Sequence, residues 1–377
     1  MANSFTSVKN IARQTLVALQ EALVFPQLVY NDFKEDYKPG AGATIQIRKP
    51  AGYTAQAFTQ GSTVSVQDIK EESVDLTLDK IADVSVEYGA IEGACSVDDI
   101  NRLFAVPAAR AIAEKINQDG LALYKDIPYY TGTAGTTPDG LDDFANAAKI
   151  LNENKAPTMD RFGVWDPSAN AAFQQLAALV NAEKAGTTEA LRAGAIGRVF
   201  GIDNYMSQGV KTHTNATVTP GGTAASGVKV KADVSDGDTI VGISNATGSA
   251  TLTGAYSAGT ILSIGSSGIK ALVISANTAS NEMTIKLDHA VTVSANDAIT
   301  PVGNHVANLV FHRNAFAFAT RPLSAPAGVE SYTVSYNGIS VRVCRGYDMT
   351  YKKEMLSADV LYGYKTLEPK LACVVLG

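Results

Sequence analysis

Cysteine is scarce in this 377-residue chain: Cys95, Cys344 and Cys373 are the only ones. An odd number, wide spacing and no CxxC exclude a disulfide framework and a zinc site of the usual ligand spacing. All three are expected to be small buried hydrophobes. Long apolar runs are missing too. No stretch of 18 or more apolar residues occurs, so no membrane-spanning helix is expected. The opening segment "MANSFTSVKNIARQ" lacks the short apolar core of a signal peptide, and the expectation is synthesis and residence in the cytosol. Charge of one sign is nowhere concentrated. The formal net charge is −6 and no Lys/Arg block exceeds two residues. Tight phosphate binding and base reading are thereby disfavoured, while lying beside DNA without gripping it stays open. Aromatics vanish over one long segment: from Thr212 to Asn304 the sole aromatic residue is Tyr256.

Catalytic and nucleotide-binding patterns are also missing. The four histidines, His213, His289, His305 and His312, form no HExxH, and no P-loop or GxSxG is present. "GAIGRVFG" is not GxGxxG and precedes a strand pattern, so it does not read as a dinucleotide cradle. Asp233, Asp236 and Asp238 lack the spacing and closing Glu of a calcium loop. His213, His289 and His305 fall in or beside the aromatic-poor segment, where solvated loop histidines are expected. No enzyme is expected, and no cofactor or metal.

What is present is a series of well-patterned elements. Residues 7–25 place Val8, Ile11, Ala12, Leu16, Leu19 and Leu23 at helical spacing, stopped by Pro26. Such a helix packs either on its own domain or, as an arm, on a neighbouring subunit. It lacks the basic face of a membrane-surface helix. From Thr44 to Glu87 the period becomes two, with Ile45 and Ile47 in one run and Val74, Leu76 and Leu78 in the next. "PAGYTAQAFTQGST" lies between them as a loose tip. An isolated hairpin is marginal in water, so its apolar face needs cover from this chain or from another copy.

A helix is expected from about Val97 to Ile127, with Pro107 marking a restart or kink and a stripe of Ala109, Ile112, Ile116, Leu123 and Ile127. Residues 140–154 read as a helix, Phe162–Trp165 as a strand, and a further helix starts near Pro167–Ser168. Short alternating runs between 212 and 304 ("DTIVGIS", "SATLTG", "TILSIG", "ALVISA", "EMTIKL", "AVTVS") with frequent turn signals read as a small all-β unit inserted in a mixed chain. "YNGI" marks a hairpin turn, and Leu371 to Leu376 a buried strand.

Five phrases, in order, resemble the coat (major capsid) proteins of tailed double-stranded-DNA bacteriophages: "TIQIRKPAGY", "AIAEKINQDGLALY", "NKAPTMDRFGVWDP", "ALRAGAIGRVFGIDNYMSQGV" and "NLVFHRNAFAFATRPL". The likeness is to the branch with a β domain inserted in the Hong Kong-97-type fold, and "SAGTILSIGSSGIKAL" resembles a strand pair of that insertion. The resemblance implies an α+β fold. Residues 1–30 would be the N-terminal arm and 31–80 the extended hairpin loop. Residues 81–139 and 339–377 would be the peripheral domain with its spine helix. Residues 140–211 and 305–338 would be the axial domain, and 212–304 an inserted β-barrel or sandwich. In "NLVFHRNAFAFATRPL" it implies one strand, with Val310, His312 and Asn314 on one side and Phe311, Arg313 and Ala315 on the other. His312 and Arg313 then have structural hydrogen-bonding roles.

The same resemblance implies self-assembly into pentamers and hexamers of an icosahedral virion shell built in the host cytoplasm. Its partners would be scaffolding and portal proteins and packaged double-stranded DNA, bound without sequence specificity. Candidate contacts between subunits are the tip residues Tyr53 and Phe58. Arg48 and Lys49 are candidate partners of Glu87 or Glu92 next door. Two rivals differ in kind. An encapsulin-like compartment shares the capsid fold and is disfavoured by the inserted segment. A β-rich adhesin or fibre module leaves the long central helix unexplained.

Overall fold

The structure, a computed structural model, describes residues 8–31, 44–49, 73–89, 104–181, 194–216, 218–220, 228–234, 239–245, 252–265, 269–279, 282–326, 328–336, 338–350 and 353–377, with the single positions 55, 57, 60 and 66. The chain divides into two compact units: Met1–Ile116 with Phe316–Leu367, and Asn117–Ala315 with Glu368–Gly377.

The first unit is built on an antiparallel sheet whose longest strand is Lys353–Thr366. Lys80–Gly89 pairs along one edge of that strand. Ile339–Asp348 and then Phe316–Arg321 pair along the other, and Glu330–Tyr336 lies outside Ile339–Asp348. The register Tyr336↔Ile339 leaves a two-residue turn, and Gly338 supplies its positive φ of 82°. The helix Val8–Ala22 packs on Glu330–Tyr336 and Ile339–Asp348. Its expected stripe is the buried one: Val8, Ile11, Ala12, Leu16 and Leu19, followed by Leu23 just past its end. Of the two placements open to it, this one is on its own unit. Pro26 falls in the short helix Phe25–Leu28 that follows.

In the second unit a seven-stranded sheet has the spatial order Tyr130–Gly132, Ala372–Leu376, His305–His312, Arg161–Trp165, Ile202–Met206, Arg198–Val199, with Thr212–His213 also paired to His305–His312. His305–His312 is covered on both faces and reads accordingly as a near-continuous apolar run. The helix Leu141–Glu153 packs on Ala372–Leu376 and Tyr130–Gly132. Beneath it Phe144, Trp165 and Phe173 interlock with ring centroids 4.4–4.9 Å apart. Asp166 caps the helix Pro167–Phe173 by accepting the N–H groups of Ser168 and Ala169 at 3.0 and 3.2 Å, with Pro167 in its first turn. The free thiol of Cys373 is fully buried here, and burial pushes its pKa up. Cys344, also free and buried, lies in the first unit; Cys95 is outside the described residues.

Within residues 212–304 a six-stranded sheet runs Val228–Val230, Ile240–Asn245, Glu282–Leu287, Ile269–Ala279, Ile261–Ile264, Ile299–Pro301. Its core is aliphatic, with Val241, Ile243, Leu262, Ile264, Val273 and Ile285 around the single ring of Tyr256. "AVTVS" forms no strand. Val293 makes an isolated bridge to Val234, and Val291 and Val293 are buried all the same.

Two expectations meet a different geometry. The helix expected over 97–127 has its first residues outside the described set; Phe104–Ala105 form a π turn, Val106–Leu121 is α-helical and Ala122–Asp126 is 3-10. The change to three residues per turn buries Leu121, Tyr124 and Ile127 and leaves Leu123 only half-buried. "NLVFHRNAFAFATRPL" is two strands, because Arg313–Ala315 forms a 3-10 turn after His312. The Asn314 N–H donates to His312 Nδ1 at 3.2 Å and the Arg313 N–H to the Asp160 carbonyl at 3.1 Å, which fixes that turn. The two compact units part at 116/117, 315/316 and 367/368. Tyr336 and Ile339 close a local hairpin, and Ala372–Leu376 is an inner strand of the second unit's sheet.

Candidate assembly surfaces and a buried histidine pair

The hairpin is seated at its base and uncovers along its length. Thr44–Arg48 pairs with Ser73–Thr77 in the register Thr44↔Thr77 to Arg48↔Ser73. Ile45, Leu76 and Leu78 are buried in a small cluster with Ala317 and Ala319. The seat is close: a Cβ on Gly363 would lie 2.3 Å from the Thr77 carbonyl oxygen, so only glycine lets the strand cross there. Further out, Ile47 and Val74 are half-buried and Arg48 is exposed. Lys49, just past this strand, is half-buried; Tyr53 and Phe58 lie outside the described residues.

Glu87 is on the solvent side of Lys80–Gly89 and already has a partner in its own chain, Lys353 Nζ at 2.7 Å. Both side chains are about half exposed, so the pair contributes roughly 0–1 kcal/mol. Glu92 is outside the described residues. The structure therefore does not bring Arg48 or Lys49 onto Glu87 within one chain. Lys80–Gly89 is paired on one edge only among the described residues, and it presents Ile81 and Val86 to solvent. Beside Ile81 on this face is a polar knot. Arg342 donates to Asp359 Oδ2 from Nε at 3.1 Å and from Nη2 at 2.5 Å, and from Nη1 to the Ser324 carbonyl. Asp83 stands opposite Asp359 in register. Burial and a hydrogen bond with Asp83 hold the Asp359 carboxyl above the usual carboxylate range, against the opposing pull of Arg342.

In the second unit, "GAIGRVFG" forms a hairpin turn. The register Val199↔Ile202 leaves Phe200 and Gly201, both at positive φ (47° and 81°), as a primed two-residue turn. Phe200 is exposed there. His312 is buried and its imidazole is held below the usual histidine range, first by burial. With Nδ1 accepting from Asn314, it has a structural role.

His213 and His305 were expected in solvent and are instead buried, each 2% exposed, and stacked with centroids 5.1 Å apart. His289 alone of the three is solvent-facing, 2.8 Å from Asp288. Both nitrogens of His213 are engaged: Nδ1 with the Tyr124 hydroxyl at 2.8 Å, Nε2 with Thr260 Oγ1 at 3.2 Å. His305 Nδ1 donates to the Gly303 carbonyl at 3.0 Å. Burial, then His305, then Lys125 lower the His213 pKa to about 4; burial also lowers that of His305. Their position was the available signal: one stands at each end of the aromatic-poor segment, where the entering and leaving strands pair.

Among the described residues no group of three or more His, Cys, Asp or Glu could hold a metal ion, and no helix is long and apolar enough to cross a membrane. No protein-family model matches the sequence, and no curated protein matches it. Solved structures do. One from Mycobacterium phage Che8 aligns with 94% of this chain and 90% of its own at 15% identity and a TM-score of 0.53. The capsid structure of the cyanophage P-SCSP1u aligns with 94% of this chain and 88% of its own at 13% identity and a TM-score of 0.52. The fold is thus the α+β, Hong Kong-97-type fold of phage capsid proteins, with additional β structure.

Proposed function

We propose that this chain is the major capsid protein of a tailed bacteriophage, assembling into pentamers and hexamers of an icosahedral shell that encloses double-stranded DNA. The observation that carries the reading is the hairpin. It is locked to its own sheet at Gly363 and Leu76 and loses apolar cover towards Arg48 and Ser73. A second copy supplies that cover. A fold shared over 94% of the chain with a phage capsid supports the same reading. One surface meeting a different surface of the next copy generates rings, and rings of five and six tile a closed shell. Many modest contacts then hold the shell by multivalency, and misplaced subunits can leave during growth. In this reading Tyr53 and Phe58 anchor the hairpin on a neighbour. Arg48 and Lys49 compete with Lys353 for Glu87, or reach Glu92. Residues 212–304 are an inserted domain, scaffolding and portal proteins are assembly partners, and no catalysis is required.

The test is to express the chain, sediment it through sucrose and image the fast fraction by electron microscopy. Closed shells are expected. A variant lacking residues 51–60 is expected to stay folded and soluble yet form none. A full-length protein that remains monomeric at high concentration, or normal shells from the deletion, overturns the reading. Shells filled with a protein cargo in place of DNA would assign an encapsulin-like compartment.

A further inference from the structure

The polypeptide enters the β module (residues 218–301, with the six-stranded sheet) through Thr212–His213 and leaves it into His305–His312, and these two strands lie side by side. His305 pairs with His213, Val306 pairs with Thr212, and the Ala307 N–H donates to the Lys211 carbonyl at 2.9 Å. The module adds a loop to the same place. Thr260 meets His213, the Val302 N–H donates to the Ile261 carbonyl at 2.9 Å, and Gly259 packs so tightly on Lys125 that a Cβ would lie 2.8 Å from its Cγ. The body adds Tyr124, which meets His213 both through its hydroxyl and edge-on at a centroid distance of 5.7 Å. One imidazole therefore bridges body and module, with a second stacked on it.

A neutral imidazole has one donor and one acceptor nitrogen, and either arrangement suits two hydroxyl partners. A charged imidazole has two donors, so one hydroxyl must reverse and surrender its own donation. Nothing nearby compensates fully. Lys125, beside Tyr124, repels the new charge; Asp126 is exposed on the same turn; Lys211 gives its ammonium to Gln118 Oε1 at 2.8 Å. The Tyr124 phenol is pushed up to about 12 by burial and stays neutral. Among the described residues no carboxylate acts on either ring; the Asn215 side chain alone favours the charged His213, and its Oδ1 is otherwise buried without a hydrogen-bond partner. Two stacked imidazoles also oppose each other's protonation.

We propose that the His213–His305 pair is an acid-operated latch: proton uptake at the pair loosens the attachment of the 218–301 module to the Tyr124 turn and to the strand His305–His312. The inference stands apart from the shell reading, because its readout is local opening and not assembly. The effector is the proton itself. Opening exposes both rings, where their affinity for protons returns to the ordinary histidine value, so acid drives the open state by mass action.

The experiment is amide hydrogen exchange on the full chain between pH 7 and pH 5, corrected for the intrinsic rate, read at Thr212–His213 and Thr260–Ile264. A His213 value of about 4 when closed and about 6.5 when open predicts about 20-fold more opening at pH 5 than at pH 7. The Phe144–Trp165–Phe173 region serves as the unchanged control. In H213Q and H305Q the pH step is expected to shrink or vanish. Should those variants fail to fold, the imidazole Cε1–H resonances of the unaltered protein decide the matter. A His213 midpoint below 5 in the closed form, beside opening that rises as pH falls below 6.5, supports the latch. A midpoint near 6.5, equal exchange at the two pH values, or a step that H213Q and H305Q both retain overturns it.

Discussion

Phe144, Trp165 and Phe173 close on one another in the second unit, each fully buried, while on the apolar face of the first unit's hairpin the buried pair Ile45 and Leu76 gives way to the half-buried pair Ile47 and Val74. The first region completes its own packing: three rings at 4.4–4.9 Å leave no face unsatisfied. The second is half-finished by the same chain. A protein that must fold alone and then associate needs both kinds of surface. The contrast predicts where a substitution damages the subunit and where it damages only association.

The sharpest way to break the contrast is F173A. Removing a fully buried ring from the aromatic trio is expected to cost about 3–5 kcal/mol of subunit stability, read as a lowered denaturation midpoint with unchanged m. I47A, at the half-covered part of the hairpin, is expected to change that midpoint by well under half as much while weakening assembly. Equal effects on the midpoint would mean that the hairpin packs as completely as the core.

Acid should act next most strongly, and not on the aromatic trio. The pKa of His213 is lowered on folding, from 6.5 to about 4. The folded form thus binds fewer protons than the unfolded one. The associated stability is complete above pH 6.5 and is lost as pH falls from 6.5 towards 4, by up to about 3 kcal/mol. A urea series at pH 7, 6, 5 and 4 tests this. H213Q should flatten the part of the slope that lies above the range where carboxylates titrate.

Much of this contrast could be read from the sequence, and what could not has a physical cause. The stripe Val8, Ile11, Ala12, Leu16 and Leu19 was legible because helical periodicity is local. So were the alternating strands at 44–48 and 73–77, and the helix start near Pro167–Ser168. Tyr124 entered the interior in place of Leu123 because the helix tightens to 3-10 over its last turn, a change no stripe announces. His213 and His305 are brought together by strand pairing across the whole aromatic-poor segment, and composition alone made them look solvated. The turn at Arg313–Ala315 was hidden by the apolar residues on both sides of it, which continue one strand pattern across what are two strands. Tyr53, Phe58 and Glu92, the sequence candidates most directly concerned with a neighbour, lie outside the described residues, and their roles rest on the assembly experiments.

Gly363 sharpens the comparison from the side of the seat. In G363A the new methyl meets the Thr77 carbonyl oxygen and carbon and the Leu78 Cα, all backbone, so the strand itself must move. A loss of roughly 1–3 kcal/mol is expected. Its signature matters more than its size: exchange should rise in 44–48 and 73–77 and stay unchanged around Trp165. If the hairpin's amides are unaffected, the base is not locked where the structure places it.

The smallest effect on the subunit separates folding from association most cleanly. K353A removes the intrachain partner of Glu87, an exposed pair whose loss should shift stability by no more than about 0.5–1 kcal/mol. It also frees a carboxylate on the strand Lys80–Gly89, which is paired on one edge only among the described residues. If Arg48 or Lys49 of a neighbouring copy uses Glu87, K353A relieves a competitor, and shells should form at lower protein concentration with a steeper dependence on salt. E87A should then raise the critical concentration while leaving the denaturation midpoint of the subunit in place. If K353A and E87A leave the critical concentration equal to that of the unaltered chain across 50–500 mM salt, which spans Debye lengths of about 14 to 4 Å, Glu87 carries only its local pair and the hairpin's anchors lie elsewhere.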